Sequence, residues 1–268
     1  MAGFRSAGAF QLQIDGGHDG PLKATASAGQ LRRPRTDTVC AMAPPVVLVH
    51  GWGGSFSATW ETNGFSELLR DAGKTVIGVD LLGHGTAPKP HDPHEYDDLT
   101  DRVVEACPPE PVDAIGFSLG AITLLHLAVR EPQRFNRLVL AGIGASLFDT
   151  DDSRTQRIVA ALEGHGDPDD NISRMFVQYA GQSGNDIVAL TAVMKRGRHS
   201  LTPEMLQVVV CPTLVVIGDR DFAGPGEPLV EALPNATLRT LRNVDHFATP
   251  EAFGFIDAAL GFLDADPL

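Results

Sequence analysis

Cysteine is scarce in this chain: Cys40, Cys107 and Cys211 are its only three, an odd number set far apart. They support neither a disulfide framework nor a metal-ligand spacing, so no metal is expected and a reduced, cytoplasmic setting is. No apolar run approaches the ~18–20 residues a membrane span requires. The start, Met1–Ile14, has an early Arg5 but no continuous apolar centre, so it reads poorly as a secretory signal. Positive charge is in deficit. Lys and Arg number 21 against 34 Asp and Glu, and the net charge of −13 argues against nucleic acid or an anionic membrane as the main partner. There is no internal repeat. The nucleotide-cradling pattern G-x-x-x-x-G-K followed by Ser or Thr is also missing, so the glycine runs do not form a phosphate loop.

What is present is a regular alternation. The 268 residues suffice for one α/β domain with a substantial core. Apolar runs predict strands at Val46–Val49, Thr75–Asp80, Val112–Phe117, Arg137–Gly142, Pro212–Gly218 and Thr237–Leu241. Helical patterns lie between and after them, near Phe65–Ala72, Tyr96–Cys107, Leu119–Arg130 and Glu251–Leu263. Continuous Val/Ile/Leu strands alternating with helices predict a mostly parallel sheet covered on both faces. Between Ala145 and Leu201 the alternation breaks into helical stretches, roughly Ser153–Leu162, Ile172–Ala180 and Asp186–Lys195, without a strand. This insert reads as a small cap over the carboxyl ends of the strands, where open α/β sheets bind ligands. The expected organisation is therefore an arm over residues 1–43, a core over 44–144 and 202–268, and a helical cap over 145–201. The arm is the least legible part. Ala9–Asp15 alternates loosely and could be an edge strand, and Met42, just before Pro44-Pro45, could be the true start of translation.

The chain is organised around V-D-A-I-G-F-S-L-G at Val112–Gly120. A serine between two glycines at a strand-to-helix step projects its hydroxyl above the sheet edge. Gly116 and Gly120 lack the β-carbons that would clash as strand and helix close on the turn. The same turn puts the N–H of Leu119 at a helix N-terminus, where negative charge is favoured. A serine hydroxyl is a weak nucleophile until a base takes its proton and a third group orients that base. Downstream, Asp219-Arg220-Asp221 follows one strand directly, and Asn243-Val244-Asp245-His246-Phe247 follows the next. Carboxylate and histidine thus reach the same edge as Ser118, and of nine histidines only His246 holds such a place late in the chain.

These residues resemble the α/β-hydrolase superfamily, in particular its small capped esterases, haloperoxidases and carbon–carbon hydrolases. The likeness covers Val46 to Leu263. It is carried by H-G-W-G-G at His50–Gly54, D-L-L-G-H-G at Asp80–Gly85, G-F-S-L-G at Gly116–Gly120, G-D-R-D at Gly218–Asp221 and D-H-F at Asp245–Phe247. The resemblance implies Ser118 as nucleophile, His246 as general base and then acid, and Asp221 as the orienting carboxylate. Asp219 is then a brace of the loop. Asp149, Asp151 and Asp152 are the alternative acids. The resemblance also implies an oxyanion hole made by the N–H groups of Trp52 and Leu119. Asp245 stands where relatives often have glycine, and Thr86 where serine is common.

The expected activity is hydrolysis of an ester or related acyl compound, with no cofactor, by a monomer or homodimer acting on a small molecule. The same site could serve carbon–carbon hydrolysis, lactone opening, acyl transfer or perhydrolysis, because function belongs to the site and not to the fold. A small-ligand sensor with slow or no turnover is the alternative of another class. Plainer roles are expected elsewhere. His50 and His84 sit in Gly-rich turns and read as structural, and His126 as a half-buried helix residue. His91 and His94, with Asp92, Asp97 and Asp98, match no closed zinc set and read as a solvated loop. Trp52, Phe56 and Phe117 are candidates for the acyl pocket or the core. Met175, Phe176, Tyr179, Val193 and Met194 are candidates for the buried face of the cap.

Overall fold

The computed structural model describes residues 43–197 and 199–265. The edge strand expected at Ala9–Asp15, the rest of the arm before residue 43 and the start considered at Met42 lie outside the described residues.

The strands are β1 (Val46–Val49), β2 (Val76–Val79), β3 (Val112–Phe117), β4 (Phe135–Ala141), β5 (Thr213–Gly218) and β6 (Ala236–Leu241). Every pairing among them is parallel, in the order β2-β1-β3-β4-β5-β6. Helices α1 (Phe65–Asp71), α2 (Asp101–Ala106), α3 (Leu119–Arg130), α8 (Glu227–Ala232) and α9 (Phe253–Phe262) flank the sheet. Alternating residues of one strand enter two different cores. Val46 and Leu48 pack with Trp60, Phe65 and Phe255, whereas Val47 and Val49 pack with Val103, Leu124 and Leu140. Burial on both faces is why these strands read as unbroken apolar runs.

Between β4 and β5 lie α4 (Ser153–Leu162), α5 (Asn171–Ala180), α6 (Ile187–Lys195) and the short α7 (Pro203–Leu206). Aspartates start two of them. Asp170 accepts from the N–H groups of Ile172 and Ser173, and Asp186 from those of Val188 and Ala189.

Some expectations shift. The helix expected over Tyr96–Cys107 divides into a 3₁₀ turn at Pro93–Tyr96 and α2. The break is local chemistry: Asp98 Oδ1 accepts from both the N–H (2.8 Å) and the hydroxyl (2.6 Å) of Thr100, which competes with continuing the helix. β4 begins at Phe135, earlier than Arg137, across a register irregularity between Val112 and Asp113. Asp113 itself is buried within β3, its Oδ1 has no hydrogen-bond partner among the described residues, and burial pushes its carboxyl up. Glu227–Ala232 and the π-helical turn at Ser57–Glu61 have no counterpart in the pattern reading.

Candidate active site

Strand order reverses between β1 and β3: β2 lies beyond β1 on one side, and β4 to β6 follow β3 on the other. Loops leaving β1 and β3 therefore part, and a crevice opens between them at the carboxyl edge. Trp52 follows β1 and Ser118 follows β3, so both stand at that crevice.

Ser118 has φ 50° and ψ −112°, a conformation that side-chain-bearing residues rarely adopt. Its N–H donates to the Ala141 carbonyl of β4 at 2.8 Å, which ties the strained step to the sheet. The step needs its glycines. A β-carbon on Gly116 would lie 2.6 Å from the Ala121 nitrogen, and one on Gly120 would lie 2.5 Å from the Val49 oxygen. The β1 turn is pressed equally close, since a β-carbon on Gly51 would stand 2.8 Å from Phe117 Cδ1.

The structure brings Ser118, His246 and Asp221 together. His246 Nε2 is 3.0 Å from Ser118 Oγ, and His246 Nδ1 is 2.9 Å from both carboxylate oxygens of Asp221. With Nδ1–H donating to the carboxylate, Nε2 is left to accept from the serine hydroxyl. Asp221 is fixed in turn, because its Oδ1 accepts from the Ala223 N–H at 2.8 Å. Both His246 and Asp221 are buried. Asp219 points elsewhere and accepts from the Asn243 N–H at 2.7 Å, holding the loop that carries His246. Asp245 is exposed and accepts from the Ala248 N–H at 3.0 Å. Asp151 accepts from the N–H and hydroxyl of Ser153 at the start of α4.

No backbone acceptor among the described residues takes the N–H of Trp52 or of Leu119. Leu119 heads α3, whose first N–H groups have no partner within the helix. Trp52 is held by its other end. Its indole Nε1–H donates to the Leu190 carbonyl of α6 at 3.0 Å, and Asn185 Nδ2 donates to the neighbouring Gly53 carbonyl at 2.8 Å.

His50 and His84 brace the loops below. His50 Nδ1 is 2.7 Å from the Gly51 carbonyl, and its Nε2 accepts from the Leu81 N–H at 3.1 Å. That pairing requires a neutral ring, and burial lowers the His50 pKa accordingly. His84 is also lowered, to about 3, by burial and by the nearby His50. Burial pushes the Asp80 carboxyl up, but the N–H groups of Thr86 and Phe56 outweigh it and hold the group below the usual carboxylate value.

A cavity of about 810 Å³ opens over the serine, reached by Ser118, His246, Trp52 and Leu119 from the sheet side and by Phe176 and Met194 from the inserted helices. Phe117 lies outside its lining and packs beneath His246, with ring centroids 5.0 Å apart. Phe56 is also outside it and packs against Gly78. Of the residues expected on the inner face of the insert, Phe176 and Val193 are buried, Met194 lines the cavity and Tyr179 covers Gly53, but Met175 is exposed. Met175 falls on the outer side of α5, whose buried residues are Ser173, Phe176 and Ala180. His91 pairs with Asp186 at 2.9 Å in an exposed position, and among the described residues no group of three or more His, Cys, Asp or Glu could hold a metal.

Sequence reasoning missed Phe222. Its ring lies 4.2 Å from the His246 ring, centroid to centroid, and carries Arg154 on its other contacts, with Cζ 5.6 Å from the ring centre. The available signal was position, since Phe222 directly follows Asp221. Among the described residues no helix is long and apolar enough to cross a membrane.

Residues 44–164 match the family model of the alpha/beta hydrolase fold. Over 253 residues the chain is 27% identical to the pimeloyl-(acyl-carrier protein) methyl ester esterase of Neisseria meningitidis serogroup A, covering 82% of this chain and 78% of that one. A shorter stretch of 114 residues, 40% of each chain, is 37% identical to the 2-hydroxy-6-oxo-2,4-heptadienoate hydrolase of Pseudomonas putida. Among solved structures, a serine hydrolase involved in carbazole degradation aligns with a TM-score of 0.60 at 27% identity, over 83% of this chain and 91% of that one. Sheet order and family match agree on the alpha/beta hydrolase fold, and the chain is similar to members of the α/β-hydrolase superfamily.

Proposed function

We propose that this protein is a serine hydrolase that cleaves an ester or related acyl compound through an acyl-enzyme. One observation carries the reading: the unbroken contact from Ser118 Oγ through the His246 ring to Asp221, at the floor of a cavity. Ser118 Oγ attacks the carbonyl carbon while His246 Nε2 takes its proton. The developing oxyanion is held by the N–H groups of Trp52 and Leu119, each worth about 3 kcal/mol to the transition state. The carbonyl reforms as the alcohol leaves, taking the proton from His246. Water then attacks the acyl-serine, passes a proton to His246 and releases the acid and the free serine. Asp221 orients the imidazole and stabilises it when charged. Residues 145–201 act as the cap that shapes the pocket, and the substrate is a small molecule met in the cytoplasm.

The identity to an esterase over most of the chain supports ester cleavage, and the shorter match to a dienoate hydrolase supports carbon–carbon cleavage at the same serine as the second reading. Labelling with a fluorophosphonate, mapped by mass spectrometry, tests the shared step without knowledge of the substrate. Modification at Ser118 that disappears in Ser118→Ala supports it. An unlabelled protein, or a Ser118→Ala variant that hydrolyses a p-nitrophenyl ester at the wild-type rate, overturns it. A sensor with an idle site would bind ligand and show negligible turnover.

A further inference from the structure

The cavity does not end at the serine. α3 is buried along most of its length, and the residues it leaves accessible are Ile122, His126, Val129 and Arg130. All four line the cavity, as do Ser118 and Leu119 at the head of the helix. Steps of four, four and three residues put Ser118, Ile122, His126 and Val129 in one row. At about 1.5 Å per residue, that row runs about 15 Å along the helix from Leu119 to Val129. Leu99, Met194, Leu201 and Met205 line the same cavity, and Met205 keeps 41% of its surface accessible.

Most charged groups of this cavity are taken up by its own walls. Asp98 accepts from the Thr100 N–H at 2.8 Å and pairs with Arg130 at 2.9 Å. Asp97 accepts from the Gly197 N–H at 3.2 Å, and Arg196 Nη1 donates to the Val193 carbonyl at 2.6 Å. Asp151 accepts from Ser153, Arg157 pairs with Asp170 at 3.2 Å, and Arg154 lies over Phe222. Asp149 is exposed. Burial, and then the charges of His199 and Arg196, hold His126 below the usual histidine value, so its ring joins the row uncharged at neutral pH. What the row offers a ligand is therefore mainly the accessible hydrocarbon of Ile122, Val129, Met194 and Met205.

We propose that this row is the acyl-chain site, and that the preferred substrate is an ester of a straight-chain acid of about a dozen carbons lying along α3. The length follows from the helix: carbons bonded at about 1.5 Å advance about 1.3 Å per atom in an extended chain, so about twelve span the row. Acyl rather than alcohol follows from attachment. The acyl part stays bonded to Ser118 Oγ after the alcohol has left, and Ser118 heads the row. Each methylene laid against Ile122, Val129 and the two methionines is removed from water. The proposal rests on Ser118 being the reacting residue.

The test reads binding and turnover separately. Calorimetry on the wild-type protein uses the sodium salts of butanoic, octanoic, dodecanoic and hexadecanoic acid, which hydrolysis does not consume. Affinity is expected to rise by about two- to fourfold per methylene as far as dodecanoate and to level off by hexadecanoate. Ile122→Trp is expected to end the rise before octanoate, and Val129→Trp to end it between octanoate and dodecanoate. A flat series, a rise undiminished to hexadecanoate, or cut-offs out of order along α3 overturns the chain site. Should either variant fold poorly, the wild-type series still decides. For turnover, p-nitrophenyl esters lengthen the acyl part and alkyl acetates lengthen the alcohol part. A kcat/KM that climbs with the acyl series supports the assignment, and one that climbs only with the alcohol series overturns it. Absence of all ester turnover counts against the hydrolase reading and leaves the binding series standing.

Discussion

Phe222 lies against the imidazole of His246, with ring centroids 4.2 Å apart and planes inclined by 36°. Phe117 packs on the same imidazole from 5.0 Å, so the ring is held between aromatics as well as between Asp221 and Ser118. Its orientation is thus fixed by more than its hydrogen bonds, which suits the proposed transfer of a proton along one direction.

Phe222→Ala removes one of those walls without touching a hydrogen bond. The expected result is a fall in kcat of roughly ten- to a hundredfold, with fluorophosphonate labelling of Ser118 slowed but retained. Steady-state kinetics on a p-nitrophenyl ester beside labelling rates checks this, and an unchanged kcat would show that the hydrogen bonds alone position the ring.

Asp221→Asn keeps the shape of the acid but presents an N–H donor or a neutral acceptor to Nδ1. The imidazole then loses the tautomer that accepts at Nε2, and kcat should fall by about 10⁴ while thermal stability changes little. Asp219→Asn, which alters only the brace on Asn243, should retain most of the activity. If the two substitutions have equal effects, Asp221 has no special role.

Glycines give a paired test. Gly120→Ala would put a β-carbon 2.5 Å from the Val49 oxygen and 2.6 Å from the His50 oxygen, both backbone atoms that can move only with β1. Destabilisation of about 1–3 kcal/mol is expected, together with lost activity as the β1 turn is displaced. Gly261→Ala in α9 meets nothing within 4 Å and should be neutral or stabilising by up to ~1 kcal/mol. Urea unfolding of the two variants measures the difference.

Stability should fall in mild acid. His84 ionises near 6.5 when unfolded and only at about 3 in the fold, where burial opposes its charge, and His50 is lowered by the same cause. Between those values the unfolded chain binds protons that the native chain does not, so stability rises with pH and is lost as pH drops below about 6.5. The slope is at most about 1.4 kcal/mol per pH unit for each histidine. Denaturant midpoints across this range, for the wild type and for His84→Gln, report it. A variant with an undiminished slope would locate the effect elsewhere.

The parallel sheet was legible because both faces of each strand are buried, which writes Val46–Val49 and Val112–Phe117 as runs that need no alternation. The glycines around Ser118 were legible for an equally local reason, since backbone passes within 3 Å of where their side chains would be. Where reading failed, long-range packing or a single side chain decided. Asp98 delayed the start of a helix that the apolar spacing would have begun at Tyr96, and Met175 faces outward because α5 buries its Ser173 and Phe176 side. Phe222 was missed although it directly follows Asp221, because a phenylalanine there carries no motif and its contact with His246 is made only by the fold.

The indole of Trp52 and the side chain of Asn185 tie the turn after β1 to the helices above it. One backbone N–H of that turn faces the reacting carbonyl in the proposed mechanism, while the same residue grips the Leu190 carbonyl of α6. The turn after β1 and the start of the inserted α6 are therefore joined by direct hydrogen bonds. In the proposed mechanism, a shift of α6 would therefore reach the Trp52 N–H through one indole hydrogen bond.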